Sequence, residues 1–339
     1  MRHIYIFLIS LLFIFCLYKQ SGGTMEKINL MKSLEDNETD ITDSITSYDQ
    51  DGRKSIIELY KVQLELKNKY GWEMEEIFTE EILLENKQVL LLSANCLKTL
   101  SKGPALWVIS GIHGEEPAGP NAITENIEIF AKLDKKGIPV VLLPLCNPLG
   151  YYKNWRYPNT PEYSETIPGH SVGDSEHLLP DKSEQARSKV PSSTESDAFT
   201  KKVLELSNEY PPVIVLDFHE DNLLEKGYIY SQGPLGIEDP AATKIVDLFL
   251  ENNFPIHLSG KTRFNEDIKG GIISGVQDGS IDELLSAKKI ILNGTLIEGP
   301  SAKSVIVIET SSMNTVLSER IKVHSKIMSI IEDLWDLYR

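Results

Sequence analysis

Hydrophobic and polar positions follow periods that change from one segment of the chain to the next. Apolar side chains recur every three or four positions from Ile56 to Leu66, which predicts a helix over residues 55–70 that ends at Gly71. Short apolar runs follow, and they are typical of strands joined in a hairpin series at residues 75–78, 82–84 and 89–93. We therefore expect a helix and a small hairpin unit at the start of the folded part.

A regular alternation of strand-like and helix-like segments begins at residue 105. Continuous apolar runs predict buried strands at residues 105–110, 139–145, 213–218 and 304–308. Amphipathic segments predict helices at residues 117–133, 197–209, 240–252 and 316–338. Residues 147–191 show no period, which is typical of a long loop that is functional or disordered. The alternation indicates an α/β domain with a largely parallel sheet.

The first 54 residues differ in character from the rest. Met1-Arg2-His3 is basic, residues 4–17 are almost wholly apolar, and small residues follow at 21–23, which is the order of a secretory signal peptide. The apolar run is shorter than the roughly 20 residues of a membrane span. Residues 24–54 are polar and acidic, which favours a flexible tether. We predict a signal peptide at 1–23, a tether at 24–54 and one folded domain at 55–339.

A signal peptide predicts that the protein is exported, either to the periplasm or out of the cell, and two alternatives stay open. The apolar segment could remain uncleaved and anchor the chain in a membrane. Met25 could be the true start, which would make the protein cytoplasmic. Lipidation of Cys16 is disfavoured, because Phe13 and Phe15 stand where a lipoprotein signal has small residues.

Composition and missing motifs exclude several classes of function. The formal net charge of the 339-residue chain is −16, and a nucleic-acid-binding protein needs a basic surface for its phosphate contacts. Two of the three cysteines, Cys96 and Cys146, lie in apolar runs, so we expect small core side chains and no disulfide framework. The sequence contains neither the Gly-x-Ser-x-Gly elbow of serine hydrolases nor a Gly-Lys phosphate loop.

Residue types that bind metals follow three of the predicted strands. His113 and Glu116 come after the strand at 105–110, His219 after the strand at 213–218, and Glu309 after the strand at 304–308. In open α/β sheets, ligands bind outside the carboxyl ends of the strands. Catalytic zinc takes three protein ligands from these residue types and keeps a position for water. These clusters indicate a metal site, and the acidic residues around His219 would either support it or form a solvated turn.

The order of these residues resembles that of the zinc carboxypeptidases. The matching elements, spread over residues 89–339, are His113-x-x-Glu116, Asn147-Pro148-x-Gly150, Arg156, His219 and Glu309. The order is also similar to that of the succinylglutamate desuccinylases and aspartoacylases. The resemblance implies that residues 55–339 form a catalytic domain of the zinc carboxypeptidase type. Its fold would be α/β, with a mixed, mostly parallel twisted sheet of about eight strands and helices on both faces.

The resemblance also implies the roles of individual residues. One zinc ion per chain would be held by His113, Glu116 and His219. The general base would be Glu309, with Glu298 as an alternative at another strand end, and Arg156 would polarise the scissile carbonyl. Asp174 would accept a hydrogen bond from a zinc-bound histidine, as carboxylates often do. The chemistry is consistent, because zinc lowers the pKa of water to about 7 and arginine remains charged.

One segment departs from the family pattern. Classical carboxypeptidases carry Asp-x-Asn-Arg, whose Asn and Arg bind the terminal carboxylate of the substrate, whereas this chain has Asp174-Ser175-Glu176-His177. If Glu176 and His177 contacted the substrate together with Asn147, the acidic side chain would repel a carboxylate. We therefore expect a substrate that bears an amine or lacks a free carboxylate at that place.

These inferences predict a zinc-dependent, metallocarboxypeptidase-like hydrolase that cleaves a peptide or amide bond, with cell-wall or other non-standard peptides as candidates. One alternative is a deacylase that acts on a small amino compound. Another is an inactive carboxypeptidase-like domain that only binds its partner. The expected partner is a peptide or small amide substrate, with a membrane contact only through an uncleaved N-terminal segment.

Overall fold

The structure is a computed structural model that describes residues 26–36, 45, 47–162 and 166–339. The predicted signal peptide lies outside the described residues. Within them, no helix combines the length and the apolar character that crossing a membrane requires.

The described residues just after the predicted signal peptide belong to the folded domain. Strand β1 (Lys27–Asn29) pairs in parallel with β3 (Val89–Lys98), and helix α1 (Leu30–Glu35) follows it directly. The side chain of Asn29 caps α1 by accepting a hydrogen bond from the Lys32 amide, and Leu30 is fully buried. The prediction of a flexible tether does not hold here, because the few apolar residues of this polar segment lie in the core.

The predicted helix and hairpin are present, with fewer interruptions than the sequence suggested. Helix α2 (Ile56–Tyr70) begins at a capping box between Ser55 and Glu58 and ends at Gly71, whose φ is +78°. The three predicted strands form a single long hairpin of β2 (Glu73–Leu83) and β3. Polar residues in the middle of β2 made the sequence look like two separate strands. They fit within one strand because β2 lies at an edge of the sheet, where it pairs with β3.

The rest of the domain alternates strands and helices. The central part contains β4 (Ala105–Ser110), α3 (Ala118–Glu125), α4 (Ile127–Lys135), β5 (Val140–Leu143), α5 (Pro148–Lys153), α6 (Thr194–Glu209) and β6 (Pro212–Asp221). The next part contains β7 (Tyr228–Ser231), a 3-10 turn (Gly236–Glu238), α7 (Pro240–Glu251), β8 (Ser259–Lys261), β9 (Asp267–Lys269) and β10 (Ile272–Ser274). The last part contains α8 (Ile281–Ser286), β11 (Lys289–Leu292), β12 (Thr295–Glu298), β13 (Ser304–Ser311), α9 (Leu317–Ser329) and α10 (Ile331–Asp336).

Two of the predicted helices are divided in the structure. The helix expected at 117–133 is interrupted at Asn126, where φ is −120°, and becomes α3 and α4. The C-terminal helix is interrupted in the same way at Ile330, where φ is −109°, and becomes α9 and α10. Both breaks keep the apolar period, so the hydrophobic pattern alone did not reveal them.

The main sheet has eleven strands in the order β1-β3-β5-β4-β6-β13-β7-β10-β9-β8, with β2 paired to β3. The four central strands, β5, β4, β6 and β13, are parallel to one another. Strands β7, β8 and β9 and the hairpin strands run antiparallel to a neighbour. The fold class is confirmed as a mixed α/β sheet, and the strand number exceeds the expected eight because several edge strands have only three residues.

Both faces of the sheet are covered by helices. Leu106 and Val108 of β4 face one layer, which includes α3, α4, α7, α9 and α10. Trp107 and Ile109 of the same strand face the other layer, which includes α6 and α8. This alternation with period two places the core on both sides of β4. The parallel pairing of β4 with β6 and of β6 with β13 places the carboxyl ends of these three strands side by side at one edge of the sheet.

Candidate active site

The loop after β4 carries His113 and Glu116 in a tightly constrained conformation. Gly111, directly after the strand, has a φ of +68°, which favours glycine. Gly114 approaches the backbone of α5 so closely that a Cβ there would lie 1.9 Å from the carbonyl carbon of Gly150. Glycine at both positions lets the loop turn sharply and lie on α5, which directs His113 and Glu116 toward the end of β6.

His113, Glu116 and His219 lie together at one point, and we call these three residues the cluster. Nδ1 of His113 lies 2.8 Å from Oε1 of Glu116, and Nδ1 of His219 lies 2.9 Å from Oε2 of Glu116. One donor atom from each residue lies within 4.8 Å of the others. Glu116 and His219 are buried, and His113 is partly exposed. Two imidazoles and a carboxylate are the donor set of many catalytic zinc sites, so the residues present fit the ion.

The ionisation of these groups is strongly coupled. Burial opposes the charge of Glu116, but the charges of His113 and His219 outweigh it and hold the pKa of Glu116 well below its ordinary value. Burial also opposes protonation of His219, but Asp217 and Glu116 raise its pKa well above the ordinary value. The cluster favours a positive charge at its centre, which a cation supplies.

Asp217, and not Asp174, is the carboxylate beside a histidine of this cluster. Oδ2 of Asp217 lies 3.1 Å from Nε2 of His219, and Asp217 is fully buried. Asp174 lies on the wall of the adjacent cavity, where burial raises its pKa above the ordinary value although the hydrogen bond with Ser192 and the charge of His170 act in the opposite direction. The structure therefore does not support the role predicted for Asp174, because this residue lies within a long loop whose course the sequence did not show.

Glu309 lies on β13 in register with His219 on the neighbouring strand. Its carboxylate lines the cavity and forms no hydrogen bond or ion pair with a described residue. Burial raises the pKa of Glu309 to about 8, and the nearby His219 acts in the opposite direction. Glu298, the alternative base, is exposed on β12 and pairs with Lys289, so it lies away from the cluster.

Arg156 projects over the cluster from the loop after α5. Its Nη1 lies 2.8 Å from Oε1 of Glu115 and 2.9 Å from Oε1 of Glu116. The carbonyl of Arg156 accepts hydrogen bonds from Nδ2 of Asn147, at 3.1 Å, and from the amide of Gly114, at 3.3 Å. Asn147 is fully buried and is not among the residues that line the cavity. The structure therefore shows it holding the Arg156 loop and gives no support to the predicted substrate contact.

Arg53 contacts the loop that carries His113, and no sequence pattern indicated this contact. Its side chain is fully buried, and Nη1 donates to the carbonyls of Gly114, at 2.9 Å, and Tyr151, at 3.0 Å. Nη2 donates to Asp51 and to Asn154, each at 2.6 Å. Arg53 therefore connects the predicted tether with the loop that carries His113.

Glu176 and His177 do not reach the cavity. Oε1 of Glu176 lies 3.7 Å from Nη1 of Arg187, and its side chain packs against Gly279. Burial lowers the pKa of His177, and the charges that act on it include those of Asp197 and Lys201 on α6. Neither residue is among those that line the cavity, so the structure gives no support to the expectation that they contact substrate.

The cluster opens into a cavity of about 1010 Å³. Acidic side chains predominate among the described residues that line it, and its basic side chains are Arg156, Arg263 and the two histidines of the cluster. Asp282, in the first turn of α8, is a buried lining residue that the sequence did not single out. No local motif marks Asp282, because its place on the cavity depends on the packing of α8 against β13 and β6.

Comparison with known proteins gives a likeness of fold. No protein-family model matches the chain, and no curated protein matches its sequence. A candidate metallopeptidase of Shewanella amazonensis SB2B superposes with a TM-score of 0.60 at 20% identity, covering 81% of this chain and 91% of that chain. For carboxypeptidase A of Helicoverpa armigera, the TM-score is 0.54 at 14% identity, with 90% and 79% covered.

A third structure extends the likeness to bacteria of another genus. The metallo-carboxypeptidase of Burkholderia cenocepacia has a TM-score of 0.52 at 9% identity, covering 84% of this chain and 70% of that chain. These three matches cover 81%, 90% and 84% of this chain. The chain therefore has the fold of the zinc carboxypeptidases.

Proposed function

We propose that this protein is a zinc-dependent, metallocarboxypeptidase-like hydrolase that cleaves a peptide or amide bond. The observation that carries the proposal is the meeting of three zinc-type ligands with an unpaired carboxylate, Glu309, and a fixed cation, Arg156, at one cavity. The ligands are His113, Glu116 and His219, and they would hold one ion per chain. The fold of the zinc carboxypeptidases supports this choice of chemistry.

The residues of the chain have separate tasks in this reaction. A bound zinc ion would lower the pKa of water and polarise the scissile carbonyl. Glu309 takes a proton from the attacking water and returns it to the leaving amine, which its lack of a partner allows. Arg156 faces the developing negative charge of the carbonyl oxygen, and its backbone is held in place by Asn147.

The size of the cavity supports a peptide substrate. Its volume of about 1010 Å³ reaches the upper end of the roughly 300–1,000 Å³ typical of ligand pockets. A deacylase for a small amino compound would need less space, and an inactive binding domain would not need Glu309 and Arg156 with a full ligand set. We therefore favour a peptide, and with export a cell-wall peptide is a candidate.

We also propose export after removal of residues 1–23. The first described strand, β1, starts at Lys27, so cleavage near Thr24 would leave the folded domain intact. Glu26 and Lys27 are exposed, so the described residues begin at the surface of the domain. In this arrangement, the N-terminal segment belongs to the catalytic domain and not to a separate tether.

A substrate screen tests the proposed activity. Zinc-loaded protein would be incubated with peptidoglycan peptides, ordinary peptides and N-acyl amino acids, and the products would be identified by mass spectrometry. We expect cleavage of peptides that zinc removal and Glu309→Gln both abolish. Cleavage of N-acyl amino acids alone would favour the deacylase, and zinc-loaded native protein that cleaves none of the substrates would contradict a hydrolase.

A further inference from the structure

The side chain of Glu220 is buried and connects the two segments that carry Glu116 and His219. Its Oε2 accepts a hydrogen bond from the amide of Ala118, at 2.9 Å, two residues after Glu116. In the opposite direction, the amide of Glu220 donates to Oε2 of Glu116, at 3.1 Å. The two hydrogen bonds join one residue to both ends of the segment 116–118. They therefore fix the distance between the turn after β4 and the end of β6.

Arg320, in the second half of the first turns of α9, holds the carboxylate of Glu220 in place. Nε of Arg320 forms an ion pair with Oε1 of Glu220, and both residues are buried. Nη1 of Arg320 donates to the carbonyl of Thr315, which fixes the guanidinium near the start of α9. Both oxygens of Glu220 are thus engaged by the protein, one by Ala118 and the other by Arg320. This carboxylate therefore serves contacts within the chain.

His324 makes a second polar contact between α9 and the same region. It is fully buried and lies four residues after Arg320, on the same face of the helix. Nε2 of His324 lies 3.2 Å from Oγ1 of Thr310, and this hydroxyl donates to the carbonyl of His219, at 3.4 Å. Helix α9 is thus joined at two points to the strand ends that carry His219 and its neighbours.

A buried ion pair contributes little to stability on its own. Taking both charges out of water costs free energy that their attraction often fails to recover, and apolar side chains of similar volume can stabilise the same packing equally well. The pair differs from apolar side chains in giving the carboxylate a fixed direction. This matters at the first turn of α3, because Pro117 supplies no side-chain cap and the Glu220 carboxylate takes that place. The arrangement favours a role in positioning.

We propose that Glu220 and Arg320 are positioning residues for the metal ligands. Held by Arg320, the carboxylate of Glu220 keeps the turn that carries Glu116 at ligand distance from His219. This inference rests on the proposed zinc site and adds two residues that do not bind the ion themselves. Replacing residues that orient metal ligands typically costs about 10- to 100-fold in metal affinity or activity, so the effect should be measurable on the metal alone.

Zinc affinity and the visible spectrum of the cobalt-loaded protein test this role without a substrate. Arg320→Met removes the cation and keeps an apolar stem, and we expect zinc to bind about 10-fold or more weakly in competition with a chelator. The cobalt bands, which depend on the arrangement of the ligands, should shift. Arg320→Lys keeps a cation beside Glu220 and should restore much of both properties. Lys322→Met is the matched control, because Lys322 lies on the same helix in an exposed ion pair with Glu319.

A second control separates positioning from stability. Leu334→Ala removes a fully buried side chain from α10, so it should lower the unfolding free energy of the metal-free protein and leave zinc affinity unchanged. If Arg320→Met lost stability in the same way while its zinc affinity and cobalt spectrum stayed native, the ion pair would be structural and the positioning role would be wrong. An equal loss of zinc affinity in Lys322→Met would also overturn it.

Two further outcomes are distinguishable. If Arg320→Met does not fold, Glu220→Gln takes its place in the same measurements, because it keeps the volume of the side chain and removes the charge that Arg320 binds; native zinc affinity in this variant would overturn the inference. Absence of zinc binding by the native protein would overturn the proposed metal site and this inference together. Zinc binding by the native protein without cleavage of any peptide would overturn the hydrolase alone.

Discussion

Nδ1 of His219 lies 2.9 Å from Oε2 of Glu116, although 103 residues separate them in the chain. The backbone amide of Glu220 donates to the same carboxylate oxygen at 3.1 Å. The other oxygen of Glu116 faces both His113 and Arg156. Glu116 is therefore the centre of the site, and the parallel pairing of β4 with β6 brings its partners together.

Loss of one histidine should remove the metal. We expect purified protein to contain about one zinc per chain, and His113→Ala and His219→Ala each to lose most of it, because two remaining ligands compete poorly with solvent and chelators. Metal analysis of dialysed proteins measures this. His257→Ala, far from the cluster in the chain and not on the cavity, is the control and should keep its zinc. Full zinc occupancy in both cluster variants would refute the assignment.

The second prediction concerns the general base. Glu309→Gln should keep zinc and fold but lower turnover by about 10² or more, since a positioned acid–base group contributes on that scale. Glu298→Gln is a matched control, because Glu298 is exposed and pairs with Lys289 outside the cavity. Steady-state kinetics on one cleaved peptide distinguish the two. If Glu298→Gln lost activity while Glu309→Gln kept it, the base would have been assigned to the wrong strand end.

Arg53 should hold the loop that carries His113. Arg53→Met removes a buried cation that donates to Gly114, Tyr151 and Asn154, so we expect a loss of unfolding free energy of about 3 kcal/mol or more and faster release of zinc to a chelator. Lys54→Met, which removes a partly exposed ion pair with Glu125, should change both quantities little. Equal zinc release by native protein and Arg53→Met would show that the loop does not need this contact.

A fourth prediction concerns stability and pH, away from the site. Glu80 is buried, its Oε2 accepts a hydrogen bond from the amide of Leu149, and burial raises its pKa to about 8. The folded state therefore binds the proton of the Glu80 carboxyl more tightly than the unfolded state does. The stabilisation that this bound proton gives is complete below about pH 4.5 and is lost as the pH rises to about 8.

Denaturant unfolding of native protein and Glu80→Gln at several pH values tests this relation. The native unfolding free energy should fall relative to that of Glu80→Gln between about pH 5 and 8, because the neutral glutamine never ionises. Glu85→Gln, in the exposed turn between β2 and β3, is the control and should follow the native curve. Parallel curves for the native protein and Glu80→Gln would contradict the buried, protonated carboxyl.

The last prediction concerns location. We expect a mature chain that begins near Thr24 in an exported fraction, because the basic, apolar and small-residue segments have the order of a signal peptide. N-terminal sequencing of the protein from fractionated cells measures this. An intact chain that starts at Met25 in the cytoplasm would reject export, and a chain that keeps residues 1–23 in a membrane fraction would favour the anchor.

The order of elements was predictable because it depends on local patterns. The strand expected at 105–110 has the same bounds in the structure, and the helix expected at 55–70 starts one residue later. His113, His219 and Glu309 were predicted to meet because each follows a parallel strand, and the carboxyl ends of such strands share one edge. The hydrophobic pattern and the parallel direction of the strands were sufficient to predict that these three residues meet.

Only the tertiary structure decided which other side chains reach the cluster. Asp217, and not Asp174, lies beside His219, and Glu176 and His177 are not among the residues that line the cavity. Arg53 and Asp282 reach the site region from segments that no motif marks. These positions depend on the course of the long loop after α5, on the packing of α8 and on N-terminal residues held in the core. Such contacts join residues far apart in the chain, so no local period or spacing carries the information about them.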